Sequence, residues 1–273
     1  LQAAQPQLLA RANLDLRLRA VVSRSRMLVD ERGVQQPWRE ALQRQPRAAD
    51  LDKFTAHLLD AHLPHTMIID CSGSAEVADR YAGWLAAGIH VVTPNKQAGA
   101  GPLQRYRDIR QAAASSGARF RYEATVGAGL PVITTLRDLV DTGDEITAIA
   151  GIFSGTLAWL FNRYDGSVPF SQLVEQARAM GYTEPDPRDD LSGIDVARKL
   201  VILAREAGRE LSLEDVEVES LVPSALREAS VEDFSARLAQ VDAEFAERLQ
   251  AARGRGHVLR YVARLSPEGA TVG

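Results

Sequence analysis

The sequence predicts an α/β fold in two parts: a parallel sheet interleaved with helices, then an α+β domain with a mixed sheet. Three observations predict it. Short apolar runs alternate with helical stretches of roughly 10–15 residues, the signature of βαβ units. The apolar runs end in short polar turns, as the strands of ligand-binding parallel sheets do. Near residue 126 the alternation gives way to the glycine-rich turn VGAGLP (126–131), which opens a helix. The domain boundary is therefore placed at about residue 125, giving 1–125 and 126–273.

Taken in order, residues 14–22 (LDLRLRAVV) alternate and then turn apolar, which predicts a strand. Residues 66–70 (TMIID) predict a buried parallel strand running into CSGS. A helical pattern over 75–87 stops at Gly88, and a second over 102–115 stops at Gly117. Strands are expected at 89–93 (IHVVT) and 119–124 (RFRYEA). In the second part, 145–153 (EITAIAGIF) reads as a strand and Ser154-Gly155-Thr156 as a helix start. Helices are expected over 170–180, about 190–207 and 230–252, with a closing strand at 257–265 (HVLRYVARL). A dinucleotide-binding sheet of the Rossmann type begins with a strand and a G-x-G-x-x-G turn. The chain contains no such motif, and its first residues read as the tail of the helix that would follow it. The first domain is accordingly expected to be a partial one.

Composition narrows the function. The chain has 273 residues, 45% hydrophobic and 25% charged, with net charge −4. It carries no basic excess of the kind nucleic acid requires. No apolar run reaches the roughly 18 residues of a membrane span, and no signal-peptide layout opens the chain. The single cysteine, Cys71, excludes an internal disulfide framework and favours a reducing compartment, read here as the cytoplasm. Cys71 is expected to be a small buried residue at a strand end rather than a nucleophile, since no base is paired with it by sequence. His57, His62 and His65 lack the spacing of a metal site and are expected to decorate a surface helix and its exit loop.

The stretch 181–199, GYTEPDPRDDLSGIDVARK, concentrates the chemistry. Pro185 and Pro187 stiffen a loop that holds Glu184, Asp186, Asp189 and Asp190. Asp195 and Lys199 lie one helical turn apart on one face. Such a pair is ordinarily a solvated surface pair, and acidic loops ordinarily face water. Together they also offer carboxylates for an ammonium group and a lysine able to protonate an alkoxide. At the end of the first strand stand Ser23-Arg24-Ser25-Arg26, with no acid to select the ribose 2′-hydroxyl of NAD. An arginine there either faces water or pairs with a 2′-phosphate, which favours NADP over NAD. GAGLP reads as a glycine-rich turn.

The run EPDPRDDLSGIDVARK (184–199) closely resembles the substrate-site segment of homoserine dehydrogenases, above all the form fused to aspartate kinase. VVTPNK (91–96), YEATVGAGLP (122–131) and the Ser154-Gly155-Thr156 turn fit the same family in the same order. The resemblance implies interconversion of L-aspartate 4-semialdehyde and L-homoserine with NADP(H), in threonine, methionine and isoleucine biosynthesis. It implies that Lys199 is the proton donor to the carbonyl oxygen and that Asp195 holds the reacting group and Lys199. Glu184 and Asp190 are implied to take the substrate ammonium, with Lys96 at the junction of substrate and cofactor. Ser72 and Lys96 are implied cofactor contacts, alongside Ser23, Arg24 and Thr93 read from the strand ends. Glu123 with the carbonyls of Val126, Ala128 and Leu130 is implied to hold a sodium ion. A homodimer or higher homo-oligomer and a fused aspartate kinase domain complete the expectation. Two other readings stay open: another NAD(P)-dependent amino-acid dehydrogenase on the same scaffold, or an inactive fragment of a larger bifunctional protein.

Overall fold

In a computed structural model of the chain, the described residues are 1–35, 37–44, 47–60 and 65–273; His62 lies outside them. A short helix α1 (Gln5–Ala12) ends on Asn13 in the left-handed region and leads to β1 (Ala20–Val22). β1 turns back at once into β2 (Arg26–Val29), and the two pair antiparallel. Helix α2 (Trp38–Arg44) follows, then β3 (Arg47–Ala48), which adds antiparallel to β2, and helix α3 (Leu51–Asp60). The expected strand over 14–22 is thus confined to its last three residues. Its exit is a hairpin, because the Ser23 hydroxyl and backbone close a tight turn onto Arg26.

The parallel sheet comes next. It is formed by β4 (Met67–Ile69), β5 (His90–Val92) and β6 (Phe120–Arg121), paired in that order and all parallel. The crossovers are α4 (Ala75–Asp79) with α5 (Tyr81–Ala86), then α6 (Lys96–Ala100) with α7 (Leu103–Ser116). Gly88 and Gly117 end their helices at positive φ, as expected. Ser74 caps α4 by accepting from the Val77 amide, and Asn95 caps α6 by accepting from the Gln97 amide.

The second part begins with α8 (Val132–Asp141), then β7 (Ile149–Gly151) and α9 (Gly155–Arg163), the last capped by Ser154. Helix α10 (Phe170–Ala179) leads into the acidic loop. Instead of one helix over 190–207 there are two, α11 (Arg188–Leu191) and α12 (Ile194–Glu206). Gly193 separates them at φ 75°, and a side chain there would collide with the Tyr261 hydroxyl. β8 (Val216–Val218), α13 (Val231–Arg237), α14 (Asp242–Gly254), β9 (Ala263–Ser266) and β10 (Gly269–Val272) complete the chain. The second sheet runs β7-β9-β10-β8, with β10 and β8 parallel and the other pairs antiparallel, hence the expected mixed sheet. One continuous apolar core joins both parts, from Met27 and Ile68 through Val91 to Leu200 and Val272. Helix α12 lies at its centre, with Val196, Leu200, Val201 and Ile202 almost wholly buried.

Candidate active site

The N-terminal turn of α12 organises the chemistry. Lys199 is mostly buried, and its ammonium donates to the Phe153 carbonyl at 2.8 Å and meets Asp195 Oδ2 at 2.8 Å. Asp195 Oδ1 lies 3.1 Å from the ammonium of Lys96, which arrives on the first turn of α6. One carboxylate is therefore shared by two lysines from two sheets' worth of structure. Burial acts to raise the Asp195 pKa, but the hydrogen bond and charge of Lys199, with those of Lys96, hold it below the ordinary 3.8. The acid is ionised at neutral pH, and the solvated-pair reading of Asp195 and Lys199 does not describe a lysine that is 17% exposed.

A line of contacts leads from Lys199 to the acidic loop. Phe153, which accepts from Lys199, precedes the Ser154 cap of α9. One turn on, the Thr156 hydroxyl lies 2.8 Å from Asp190 Oδ1 and 2.6 Å from the Tyr182 carbonyl. Asp190 Oδ2 accepts from the Glu184 amide at 2.8 Å. Asp190 thus spends both oxygens folding the loop onto α9. Glu184 is exposed, and its carboxylate makes no hydrogen bond or ion pair among the described residues. Asp186 is taken up by Arg188, which grips it with two nitrogens and also donates to the carbonyls of Arg227 and Ala229. That pairing makes Asp186 an anchor of the loop.

The strand ends carry a buried polar cluster. Asp70 Oδ1 accepts from the Ser72 amide at 2.7 Å, while Oδ2 accepts from Asn95 Nδ2 at 3.0 Å and from the Tyr81 hydroxyl. The Thr93 hydroxyl donates to the Asp70 carbonyl at 2.9 Å and accepts from the Asn95 amide at 2.8 Å. Burial, then the bond to Asp70, pushes the Tyr81 hydroxyl pKa well up, so it stays protonated and donating. Thr93 shapes the turn from within, with its side chain buried, and Ser72 lies exposed on the turn that Asp70 fixes. Beside it, Ile69 and Val92 are exposed at the strand ends, and Gly73 has open space where a side chain would be. Cys71 is exposed, contrary to the expectation of a buried thiol. His57 lies on α3 with Nε2 buried and without a hydrogen-bond partner among the described residues.

Two groups of expected residues are not drawn into this cluster. Ser23 and Arg24 sit on the exposed β1–β2 hairpin turn, outside the parallel sheet. Glu123 follows β6, and its carboxylate caps α8: Oε1 accepts from the Ile133 amide at 2.9 Å, Oε2 from the Thr134 amide at 3.0 Å and the Thr134 hydroxyl at 2.6 Å. Sequence reasoning missed Asp70, Tyr81 and Phe153 as builders of the site and named Thr156 only within the Ser154-Gly155-Thr156 helix start. The capping chemistry of Asn95 ahead of α6 is a local signal that could have been read.

The chain matches two family profiles, homoserine dehydrogenase over residues 131–273 and the homoserine dehydrogenase NAD binding domain over residues 2–123. It is 48% identical over 256 residues to a bifunctional aspartokinase/homoserine dehydrogenase of Zea mays, covering 93% of this chain and 28% of that protein. Among solved structures it superimposes on a Candida auris protein described as of unknown function, with TM-score 0.89 and 35% identity, over 99% of this chain and 79% of that one. The Staphylococcus aureus homoserine dehydrogenase shares the fold, with TM-score 0.68 and 20% identity, over 99% of this chain and 57% of that one. The chain therefore spans little more than a quarter of the length of the plant relative.

Proposed function

This chain belongs to the homoserine dehydrogenase family, and we propose that it interconverts L-aspartate 4-semialdehyde and L-homoserine, with Lys199 as proton donor and acceptor. The observation that carries the reading is the shared carboxylate: Asp195 holds Lys199 at 2.8 Å and Lys96 at 3.1 Å beside a loop of further acids. Two of the three ammonium hydrogens of Lys199 go to Phe153 and Asp195, which leaves one for a substrate oxygen. A fixed cation beside an oxygen that gains negative charge lowers the barrier to reduction of the aldehyde. In the reverse direction the same nitrogen takes the hydroxyl proton while Asp195 keeps the new charge balanced. Glu184, exposed and unpaired among the described residues, is the group we assign to the substrate ammonium, with Asp190 holding the loop that presents it.

A nicotinamide cofactor fits the carboxyl ends of β4 and β5, where exposed Ile69 and Val92 offer apolar surface and Ser72 and Gly73 an open turn. When bound, it supplies or accepts the hydride. Ser72 and Lys96 are the residues we assign to holding it, Thr93 acting through the turn it shapes. The exposed Ser23 and Arg24 remain our assignment for a 2′-phosphate, which supports NADP over NAD. We extend the reading to a sodium ion at Glu123 with the carbonyls of Val126, Ala128 and Leu130, an assignment that competes with helix capping. The whole protein is proposed to join this unit to an aspartate kinase and to form a homo-oligomer. A reducing compartment such as the cytoplasm is our reading of the lone Cys71, although the Zea mays relative is named chloroplastic.

The test is NADP-dependent oxidation of L-homoserine, followed by nicotinamide absorbance, on the full-length gene product and on this chain in parallel. Lys199→Met should lower kcat by about 10²–10⁴ and leave the Kd for NADP nearly unchanged. Near-parental turnover of the folded variant would remove Lys199 from the chemistry.

A further inference from the structure

Helix α12 carries Asp195 and Lys199 at one end and Arg205 at the other, about 15 Å along its axis. Arg205 is 4% exposed and charged, yet no carboxylate pairs with it among the described residues. Its hydrogen-bond partners are carbonyl oxygens: Nη1 donates to Gly99 and to Gly101, each at 2.8 Å, and Nε donates to Leu211 at 2.9 Å, while the guanidinium lies over the Tyr106 ring at 5.7 Å. Gly99 and Gly101 are the end of α6 and the residue that caps it, so the guanidinium sits on the negative end of that short helix. The opposite end of α6 is the one that carries Lys96. Between the two ends the helices touch closely. A side-chain carbon on Gly99 would lie 2.9 Å from Ile202 Cγ1, closer than real contacts allow. Asn95 ties the start of α6 to Asp70 of the parallel sheet. Helix α6 is thus held by its own domain at the front and by α12 at the back.

We infer that Arg205 is a positioning residue: it clamps α6 against α12 and thereby sets the distance from Lys96 to Asp195 across the domain junction. A planar guanidinium reaches Leu211 and the two α6 carbonyls in one geometry, which a lysine ammonium cannot reproduce. The Lys96–Asp195 pair spans the junction, whereas Lys199–Asp195 lies within α12. The two pairs share one carboxylate, so the second is an internal control for the first.

For its catalytic consequence the inference rests on the proposed dehydrogenase activity; its structural half does not. The experiment is zero-length carbodiimide coupling of the full chain, with both lysine–Asp195 amides quantified by mass spectrometry in the parent, Arg205→Lys and Gly99→Ala. Circular dichroism checks that each variant is folded. Because one carboxyl forms one amide, the Lys96–Asp195 link should fall several-fold in both variants while the Lys199–Asp195 link holds or rises. Turnover should fall about 10–100-fold with a nearly unchanged KM for homoserine, as a misplaced positioning group produces. Adding Ile202→Ala to Gly99→Ala opens the space beside residue 99 and should restore both the link and kcat. An unchanged Lys96–Asp195 link in the folded variants, or the two links falling together, would overturn the clamp. A parent without homoserine activity would remove the functional reading instead, and the ratio of the two links would still decide the clamp.

Discussion

At the scale of single residues, the charge of Asp195 sets the pH range in which the site holds together. Burial works against its ionised form, and Lys199 and Lys96 more than compensate, so its folded pKa lies below the ordinary 3.8. A depressed carboxylate stabilises the fold above its unfolded pKa and loses that contribution as pH falls through the folded one. Asp195→Asn should therefore be less stable than the parent by a constant amount from about pH 5 upward. The gap should close below about pH 4, as the parent's own carboxylate takes up a proton. The size is about 1 kcal/mol or less, because the side chain is 39% exposed and screened by water. Urea titrations of both proteins across this range check it, and a gap that widens on acidification refutes it. Residues of this kind divide sharply in what the sequence reveals. The Asp195–Lys199 pair is legible because helical spacing brings i and i+4 together. The Lys96–Asp195 contact joins residues with no shared period, so only the folded chain displays it. Asp70 is hidden for another reason: an acid after an apolar run reads as the edge of a loop, and its burial depends on Tyr81 and Asn95 arriving from elsewhere.

At the scale of elements, α8 shows one group with two competing uses. The first turn of a helix presents unpaired amides and a partial positive charge, and a carboxylate satisfies both. Glu123 meets the Ile133 and Thr134 amides in that way from outside the helix. A sodium ion at the same carboxylate would have to share it with the positive end of α8. Glu123→Gln should cost about 1 kcal/mol through weaker capping. If the cation reading holds, sodium chloride should raise the parent's Tm above that in matched choline chloride and do so less in Glu123→Gln. Equal salt effects on both proteins would leave Glu123 as a cap alone. Helix ends were the most legible elements, since glycine and capping residues act within one turn of chain. Gly88, Gly117 and Ser154 stand where the local chemistry put them. Two strands of four residues, β2 and β10, were less legible. β2 is held by two antiparallel partners and β10 by one antiparallel and one parallel partner, and pairing of that kind outweighs local preference. The break at Gly193 was missed because the reason for it, Tyr261, lies far along the chain.

At the scale of the whole molecule, the two-part division read from the glycine-rich turn coexists with one shared core, and α12 explains how. Next to Arg205, the Glu206 side chain is 1% exposed and receives Arg137 of α8 at 2.7 Å, Arg110 of α7 at 3.5 Å and the Tyr122 hydroxyl that follows β6. Both parts of the chain thus converge on one buried acid at the end of one helix. Arg137 already leaves Nη2 buried without a partner among the described residues, so the cluster has no spare acceptor. Replacing Glu206 by Gln strips the charge that balances Arg137, a loss of about 3 kcal/mol for an uncompensated buried cation. Tm should drop by roughly 6 °C or more for a domain of this size. Because the core is continuous across the junction, calorimetry of the parent should show one cooperative transition with calorimetric and van't Hoff enthalpies equal. Glu206→Gln should move that transition down and, by loosening the tie between the parts, broaden it or split it in two. Two transitions already present in the parent would show that the parts unfold separately and that α12 does not couple them.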